Sequence, residues 1–522
     1  MKIDLCRGKL FLDNSLSEKK LNPKHTHSEM ETKLYLVLLG IVILSCNKRT
    51  NDQPWPQFRG LNGTGVASVL SKPPVIFEKN KLAWKIDMPA GSSSPVVWDE
   101  KLILTAYVDE IKELQTICIN RKNGKILWRT GIKPDTLESY HPISSPALGT
   151  VSTDGERIVT FFGSCGLSCY DMNGVPQWKH PMPCNKDAFG NGASPVIYQD
   201  KVIFLHDHFQ DRYLLALDKK TGNVLWKTRL ADLSLPTMGS HSIPVFSGNL
   251  IFIHRPGEIA CFSATDGSLL WNFRLLTQGV SSPIIVGDRL ITACWFTLSE
   301  VNQRGDLPDF DELIKKYDKN KNLSLSQSEA PDDILFSIRP ETTELLGANH
   351  SLKDLFWAFD SNVDKELTGK EWQDGLKLLK DYYYKPAGLI AFNINNKGQL
   401  SEKDIQWRVN ENTPEVPSPI FYDNRIYMVK DGGTLSCVVP ETGKVIYQKR
   451  IGNPGPQMAS PVAANGFLYI FAYNGKLKVV KAGDIFEIAA EYDFKDNITA
   501  TPAIVGNTIY IRTRKELLAY TN

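Results

Sequence analysis

The sequence predicts an all-β fold, an eight-bladed β-propeller of four-stranded blades with a small α-helical insertion in blade five. The first observation is a dipeptide, a small or apolar residue followed by proline, that recurs before short apolar runs. Its copies are Ser94-Pro95, Ser145-Pro146, Ser194-Pro195, Ile243-Pro244, Ser282-Pro283, Ser418-Pro419, Ser460-Pro461 and Thr501-Pro502. Six of the seven proline-to-proline spacings lie between 39 and 51 residues, close to the repeat length of propeller blades. The remaining spacing, 136 residues, contains the insertion.

The second observation is the shared order of elements within each unit. The dipeptide precedes a short strand, and a turn such as Val286-Gly287-Asp288 leads to a second strand. A third strand then reaches a glycine turn, where positive φ is needed, and a fourth strand follows. In five units an aromatic residue stands four positions after that glycine, as in the clear copy from Leu214 to Trp226. Four short strands per unit are typical of propeller blades.

These motifs resemble the pyrroloquinoline-quinone-like (PQQ-like) repeat propellers, whose unit reads roughly Ala-x-Asp-x-x-Thr-Gly-x-x-x-Trp. In that family the tryptophan docks between neighbouring blades, so the resemblance implies the same role for eight aromatic residues. They are Trp84, Trp128, Trp178, Trp226, Trp271, Trp407, Tyr447 and Tyr492. The segment from Trp55 to Gly60 also resembles the leader of bacterial members, and we interpret Trp55 and Phe58 as a plug at the edge of the ring.

The ends of the repeat region predict how the ring closes. Trp84 precedes the first dipeptide, and the last unit, ending in Leu517–Tyr520, lacks its fourth strand. We therefore expect residues 81–87 to complete the last blade. The chain then divides into a leader and lipoprotein signal (1–45), a tether (46–80), the closing strand with blades one to five in part (81–296), the insertion (297–385), and the remaining blades (386–522).

Two twelve-residue loops in the insertion have the ligand spacing of an EF-hand pair, with oxygen-bearing residues at alternate positions and glutamate at position 12. The predicted calcium ligands of the first loop are Asp318, Asn320, Asn322, Ser324, Ser326 and Glu329. Those of the second loop are Asp360, Asn362, Asp364, Glu366, Thr368 and Glu371. Leu323 and Lys365 replace the glycine expected at position 6, which costs on the order of 1–2 kcal/mol. We therefore expect weak Ca²⁺ binding, stronger in the second loop; loops that no longer bind metal are the alternative.

The N-terminus predicts a lipid anchor. Residues 34–44 form an apolar run that is too short to span a bilayer and has the length of a signal-peptide core. The sequence Ile43-Leu44-Ser45-Cys46 that follows resembles the bacterial lipobox, which implies cleavage before Cys46 and its lipidation. We interpret Met30 as the true start. A buried strand that ends in a core cysteine is the alternative.

Charge and motif content bear on function. With 60 basic and 58 acidic residues, the chain has no basic excess for nucleic acid. The quinoprotein dehydrogenases share the repeats but carry an adjacent Cys-Cys pair, which this sequence lacks, so PQQ is not expected and a non-catalytic role is favoured. The resemblance implies a monomeric, lipid-anchored binding or scaffolding protein of the bacterial cell envelope, on the periplasmic or surface side, with a protein or polysaccharide partner. A periplasmic quinoprotein oxidoreductase and a polysaccharide-recognition module are the alternatives.

Cysteine and histidine give no clear site. Cys118, Cys169, Cys261 and Cys437 share one register of the third strand, where blade packing needs a small residue, and we interpret them as core residues. His206 and His208 lie on one strand face and are interpreted as exposed. His141 and His241 precede first strands and are candidates for the central channel.

Overall fold

The computed structural model describes residues 52–184, 189–208, 211–232, 239–300, 303–339 and 349–522. Cys46 and Met30 lie outside these ranges. In the described part of the chain, no helix is both long and apolar enough to span a membrane.

Eight sheets form the predicted propeller, and each contains four antiparallel strands, which in blades 1 to 7 follow chain order from the inner to the outer edge. The sheet of blade 4 has a fifth, short strand, Gly398–Gln399, which pairs parallel with its outer strand. Blade 1 contains Val96–Trp98, Lys101–Val108, Glu113–Asn120 and Ile126–Ile132. Blade 2 contains Ser152–Thr153, Arg157–Phe162, Gly166–Asp171 and Pro176–His180. Blade 3 contains Val196–Tyr198, Lys201–His208, Asp211–Asp218 and Val224–Arg229. Blade 4 contains Val245–Ser247, Leu250–Arg255, Glu258–Ser263 and Leu269–Arg274.

The second half of the ring repeats this order. Blade 5 contains Ile284–Val286, Arg289–Cys294, Gly388–Asn393 and Ile405–Val409. Blade 6 contains Ile420–Tyr422, Arg425–Lys430, Thr434–Val438 and Val445–Arg450. Blade 7 contains Val462–Ala464, Phe467–Phe471, Lys476–Lys481 and Ile488–Asp493. Blade 8 contains Ala503–Val505, Thr508–Arg512 and Glu516–Thr521, with Leu82–Asp87 as its outer strand.

Strand position within a blade explains the sequence pattern. The second and third strands lie between two neighbouring blades, so both of their faces are buried; in Lys201–His208 every residue after the first is buried. The fourth strand lies at the rim, and in Ile126–Ile132 half-buried and exposed residues alternate. Apolar runs therefore mark the middle strands, and alternation marks the outer ones.

The outer strand of blade 8 comes from the other end of the chain. Leu82–Asp87 pairs antiparallel with Glu516–Thr521, and the register joins Trp84 to Ala519 and Asp87 to Glu516. This is the pairing expected from the incomplete last unit. It leaves the last blade with no missing strand.

The recurring dipeptide forms a ring of hydrogen bonds around the central channel. In seven of the eight blade-to-blade steps, the amide of the residue before the first strand donates to the hydroxyl of its counterpart in the next blade, at 2.9–3.0 Å. The participants are Ser94, Thr150, Ser194, Ile243, Ser282, Ser418, Ser460 and Thr501. Thr150, which no proline follows, holds the place assigned to Ser145 in blade 2, so that part of the predicted register is wrong. This hydrogen bond is absent only between blades 3 and 4, because Ile243 of blade 4 has no hydroxyl to accept the Ser194 amide.

Blades 3 and 4 are joined instead by buried ion pairs around Asp207. The Asp207 carboxylate accepts from the Arg255 guanidinium at 2.9 and 3.0 Å and from Arg212 at 3.0 Å. Arg255 also contacts Glu258 at 3.1 Å, and its side chain is 0% exposed. Paired and hydrogen-bonded charges of this kind can be accommodated in the interior.

The insertion leaves blade 5 after its second strand and has its own core. It contains helices α1 (Phe310–Tyr317), α2 (Leu352–Phe359) and α3 (Gly369–Leu378), followed by the π-helical turn Leu379–Tyr383. Two short antiparallel pairs join its parts: Leu325–Ser326 with Glu366–Leu367, and Leu335–Ile338 with Asn349–Ser351. Its buried core includes Leu313, Phe336, Phe356, Phe359 and Trp372.

The segment before the closing strand crosses one face of the ring. Trp55 exchanges two backbone hydrogen bonds of 2.8 Å with Val97 of blade 1 and is 2% exposed. Further along, Val66 forms a parallel bridge to Ala463 of blade 7. Between these two contacts Gly63 lies next to Ile243 and Val245 of blade 4, so the leader crosses the channel and is a floor for it.

Candidate binding cavity and paired loops

The central channel contains a cavity of about 390 Å³. Phe58 of the leader contributes to one end of its wall, and Arg339 and His350 of the insertion also line it. The leader contacts Val97 and Ala463, which come shortly after the ring members Ser94 and Ser460 in the chain. Arg339 of the insertion instead contacts Glu415, which comes shortly before the ring member Ser418. The floor and the insertion therefore lie on opposite sides of the ring.

Hydroxyl groups form a belt around this cavity. Six hydroxyl-bearing members of the hydrogen-bonded ring line it: Ser94, Thr150, Ser194, Ser418, Ser460 and Thr501. Each of these oxygens accepts one backbone amide from the neighbouring blade. A hydroxyl that accepts one hydrogen bond still has its own proton to donate. The belt can thus offer donors to a bound molecule.

A buried ionic cluster lies at the insertion side of the cavity. Arg339, which follows the strand Leu335–Ile338, forms an ion pair with Glu415, and its Nη2 lies 3.7 Å from Asp431. The Arg339 guanidinium also lies 4.7 Å from the centre of the Trp295 ring. The side chains of Arg339, Glu415 and Asp431 are 4%, 17% and 9% exposed. The insertion therefore contributes a charged side chain to the ring, which the sequence did not predict.

Lys430 and Glu300 lie next to this cluster and form an ion pair, with 3.6 Å between Nζ and Oε2, so that their charges offset one another. Glu300 also accepts the backbone amides of Asn412 at 3.1 Å and Thr413 at 3.2 Å. Burial raises the pKa of Glu415 to about 8, and burial also raises the pKa of Asp431. Two buried carboxylates that share one guanidinium cannot both ionise easily.

The histidines divide between cavity and interior. His241 lines the cavity, whereas His141 stacks on Phe189, which lines it, with 5.3 Å between ring centres. His206 and His208 are 0% and 1% exposed, so their interpretation as exposed residues is wrong. Burial lowers the pKa of His206 to about 4. Both lie on a middle strand that includes the apolar run 202–205, and both faces of this strand are covered by neighbouring blades.

The two loops of the insertion lie side by side. Leu325 and Leu367, each at position 8 of its loop, are paired in the short antiparallel ladder. The position-6 residues have left-handed backbones, with φ of 66° at Leu323 and 69° at Lys365. The backbone therefore has the sharp turn for which glycine is usual, although neither residue is glycine.

Hydrogen bonds within the loops occupy the predicted ligand oxygens. Asp318 accepts the amides of Lys321 and Leu323, and Asp360 accepts those of Asp364 and Lys365. Side-chain oxygens of Asn320, Asn322, Asn362 and Asp364 also accept loop amides. Glu366 reaches across to the first loop, where it accepts the Ser324 hydroxyl at 2.5 Å.

The two glutamates at position 12 close their loops. Glu371 accepts the Thr368 hydroxyl at 2.8 Å in a capping box at the start of α3, and its other oxygen accepts the Ser361 amide. Glu329 similarly accepts the Ser326 hydroxyl at 2.6 Å. Within the described ranges, no three His, Cys, Asp or Glu side chains are grouped closely enough to hold a metal ion. Ca²⁺ binding would therefore require the glutamates to exchange these hydrogen bonds for the ion.

The predicted docking aromatics lie between blades. The Nε1 of Trp84, Trp128, Trp178, Trp271 and Trp407 donates to a backbone carbonyl of the next blade, at 2.9–3.2 Å. Five of the six tryptophans cover the turn glycine of that blade: Trp84 on Gly124, Trp128 on Gly174, Trp178 on Gly222, Trp226 on Gly267 and Trp407 on Gly443. Tyr447 contacts Phe486, and Tyr492 contacts Phe77 and Tyr520.

The four cysteines of the shared register are buried. Cys118, Cys169, Cys261 and Cys437 are each 0% exposed, and burial raises the pKa of each thiol, to about 11 for Cys118 and Cys437 and about 12 for the others. Such thiols are protonated and unreactive at neutral pH. This agrees with their interpretation as core residues.

Comparison with known proteins identifies the repeats. The family described as "Outer membrane protein assembly factor BamB" matches residues 75–234, 210–303 and 387–522. The crystal structure of BamB from Moraxella catarrhalis is similar over 84% of this chain and 99% of that one, with 10% identity and a TM-score of 0.51. A europium-containing methanol dehydrogenase is similar over 90% of this chain and 98% of its own, with 9% identity and a TM-score of 0.56. At these identities the structural likeness shows a common fold. No curated protein matches the sequence significantly.

Proposed function

Because the chain belongs to the family of the outer membrane protein assembly factor BamB, we propose that it is a non-catalytic binding or scaffolding protein of the bacterial cell envelope, tethered through a lipid on Cys46. The observation that carries the non-catalytic role is the charge of the cavity. Arg339 is the one arginine or lysine among the described lining residues, and it is already engaged by Glu415 and Asp431.

This charge distribution does not fit PQQ, which carries three carboxylates and an ortho-quinone. Such a ligand would meet two buried acids and no uncommitted arginine or lysine among the described residues of the wall. An anion that loses its hydration without gaining a cation is strongly disfavoured. We therefore derive no redox step for this chain.

A reconstitution experiment separates the scaffold from the oxidoreductase. The purified protein is incubated with PQQ and Ca²⁺, passed through a desalting column, and assayed for quinone absorbance and dye-linked alcohol oxidation. A quinoprotein dehydrogenase treated in parallel is the positive control. We expect no retained quinone and no oxidation; a retained quinone spectrum with turnover would overturn the proposal.

The binding role is tested by photo-crosslinking in cells. The insertion exposes Trp357, which is 74% accessible, and the rim of the ring exposes Ile485, which is 81% accessible, as a matched control. A photo-reactive residue at position 357 should give a discrete adduct that position 485 does not give. Absence of a discrete adduct at both positions would argue against a stable partner.

The tether is tested by mass spectrometry of the mature N-terminus. We expect cleavage after Ser45 and a lipidated Cys46 as the first residue. An intact peptide spanning residues 44–47 in the dominant species would contradict the lipid anchor.

We also propose that the insertion binds Ca²⁺ weakly. The support is the paired arrangement of the loops through Leu325 and Leu367 and the left-handed backbone at position 6 of each. Asp360, Asp364 and Glu371 give the second loop more carboxylates than Asp318 and Glu329 give the first. Bound Ca²⁺ would neutralise these charges and hold the two loops together.

A further inference from the structure

We propose that the central cavity binds a small, hydroxyl-rich molecule that carries an ammonium group, with Glu415 and Asp431 as the acceptors of that group. The proposal is independent of the scaffolding role, because it concerns the interior of the ring and not its surface. It follows from the charge balance of the ionic cluster, from the belt of hydroxyls, and from unpartnered polar atoms beside the acids.

Among the residues that the structure describes, the cavity cluster has one positive charge too few. Glu415, Asp431 and Glu300 are three potential anions, whereas Arg339 and Lys430 are two cations. Lys430 offsets Glu300, and its charge also favours the Asp431 carboxylate, which accepts the Gln457 amide at 2.7 Å. Arg339 is still shared by two carboxylates, and Glu415 has no other cation beside it among the described residues. One acceptor would be enough to hold Arg339 in place, so the second carboxylate has room for another cation.

Without such a ligand, protonation of Glu415 restores the balance, in agreement with a pKa raised by burial to about 8. The charged and titratable groups nearby are Asp431 and Lys430 of blade 6, Glu300 and Arg339 of the insertion, and the cavity histidines. An ammonium group that takes the place of that proton should displace it. Binding near neutral pH should therefore release a proton.

The remaining wall suits a compact polyol. Its six hydroxyls each accept one amide and can donate to ligand oxygens, as described above. Phe58 and Phe189 add aromatic surface for the apolar face of a ring. A volume of about 390 Å³ lies within the range of small-molecule sites.

Polar atoms next to the acids indicate a site that is not fully satisfied by the protein. Gln303 Oε1 and Thr413 Oγ1 are buried, and neither has a hydrogen-bond partner among the described residues. Both line a small void of about 10 Å³ shared with Arg339, Glu415 and Asp431, which is room for about one water. Such a water can connect these two groups to the carboxylates and to a ligand bound beside them.

Calorimetry with three sugars of similar shape tests the proposal on the full mature protein at pH 7. The probes are glucosamine, glucose and glucuronate, which differ in carrying an ammonium, no charge or a carboxylate. We expect glucosamine to bind at least tenfold more tightly than glucose and glucuronate to give no heat. Equal affinities for glucosamine and glucose, or no heat from glucosamine, would overturn the proposal.

Two variants and a proton count complete the test. Glu415→Gln and Asp431→Asn should each remove the preference for glucosamine, whereas Glu491→Gln, which changes a 62%-exposed acid on blade 7, should keep it. Titrations in two buffers of different ionisation enthalpy should show proton release for the wild type and for Glu491→Gln but none for Glu415→Gln. Melting curves check that each variant folds, and a folded Glu415→Gln that keeps the preference would refute the assignment.

Discussion

Replacing Gly222 with alanine tests how the blades are joined. Gly222 has a φ of +73° and lies against the Trp178 ring, so that a Cβ there would be 2.6 Å from Trp178 Cδ2. The same turn is held by the Trp178 Nε1 hydrogen bond to the Lys219 carbonyl at 2.9 Å. The added methyl group must therefore move either the indole or the turn away from its neighbour.

Two costs add in this substitution. A left-handed backbone costs a non-glycine residue about 1–2 kcal/mol. Overpacking against a buried ring costs about 1–3 kcal/mol. We therefore expect Gly222→Ala to lower the free energy of unfolding by about 2–5 kcal/mol.

Gly248 offers a matched control within the next blade. Its φ is +55°, and a Cβ there would have no neighbour within 4 Å. Gly248→Ala should therefore carry the backbone cost alone, about 1–2 kcal/mol. Urea unfolding followed by tryptophan fluorescence and circular dichroism gives the free energies of both variants.

The double variant Gly222→Ala/Trp178→Leu separates contact from backbone strain. If the indole is what the methyl group meets, the double variant should lose at least about 1 kcal/mol less than the sum of the single losses. Equal losses for Gly222→Ala and Gly248→Ala, or additive losses in the double variant, would refute the contact between the blades as the cause.

Three further predictions concern closure, metal and pH. Deletion of residues 81–87 should lower the melting temperature far more than deletion of residues 1–45, since only the first removes a strand of blade 8; equal melting temperatures would contradict this. In calorimetry on the full chain, Ca²⁺ should bind with a Kd on the order of 10⁻⁴–10⁻³ M. Glu371→Gln should remove most of that heat and Glu329→Gln less, and absence of heat from the wild type at millimolar Ca²⁺ would leave the loops without a metal role. Because the folded state raises the pKa of Glu415 to about 8, it binds more protons than the unfolded state between about pH 5 and 8, and stability should fall as pH rises through that window. Glu415→Gln should flatten this decline, which melting temperatures at pH 5 and pH 8 would detect, and an unchanged decline would assign it to another group.

The blades and their strand order could be predicted because the motifs that mark them occur in most of the eight units. The spacing of the dipeptides and the glycine-to-aromatic interval predicted blades, strand order and closure. Blade 2 is the exception: Ser145-Pro146 has the right composition, but Thr150, five residues later, makes the inter-blade hydrogen bond. Because the hydrogen bond needs a hydroxyl and not the proline, the dipeptide predicts the position of the first strand only to within a few residues.

The ionic cluster of the cavity could not be predicted from the repeats. Arg339 lies in the insertion, and nothing in its local sequence indicates that it reaches blade 6. A weak signal was available at Glu415, which stands three residues before Ser418, where other units have Gly91, Asn191 or Gly279. A charged residue at a position where the other units have small or neutral residues indicates a functional group in the channel.

His206 and His208 show a related limit. Their spacing predicts a common strand face, and their polar type favours exposure, which the structure does not show. In a propeller the middle strands are covered on both faces, so burial follows from the position of the strand within the blade.

The ring of inter-blade hydrogen bonds has an evolutionary consequence. Every unit except the one with Ile243 supplies one amide donor and one hydroxyl acceptor, so tandem duplication of such a unit brings both partners of a new inter-blade hydrogen bond at once. Removing blade 7 would bring the Ser418 amide to Thr501, chemically the same joint as the one with Ser460. The number of blades could therefore drift without new interface chemistry, except beside Ile243, where the Asp207–Arg255 pair makes blades 3 and 4 inseparable partners.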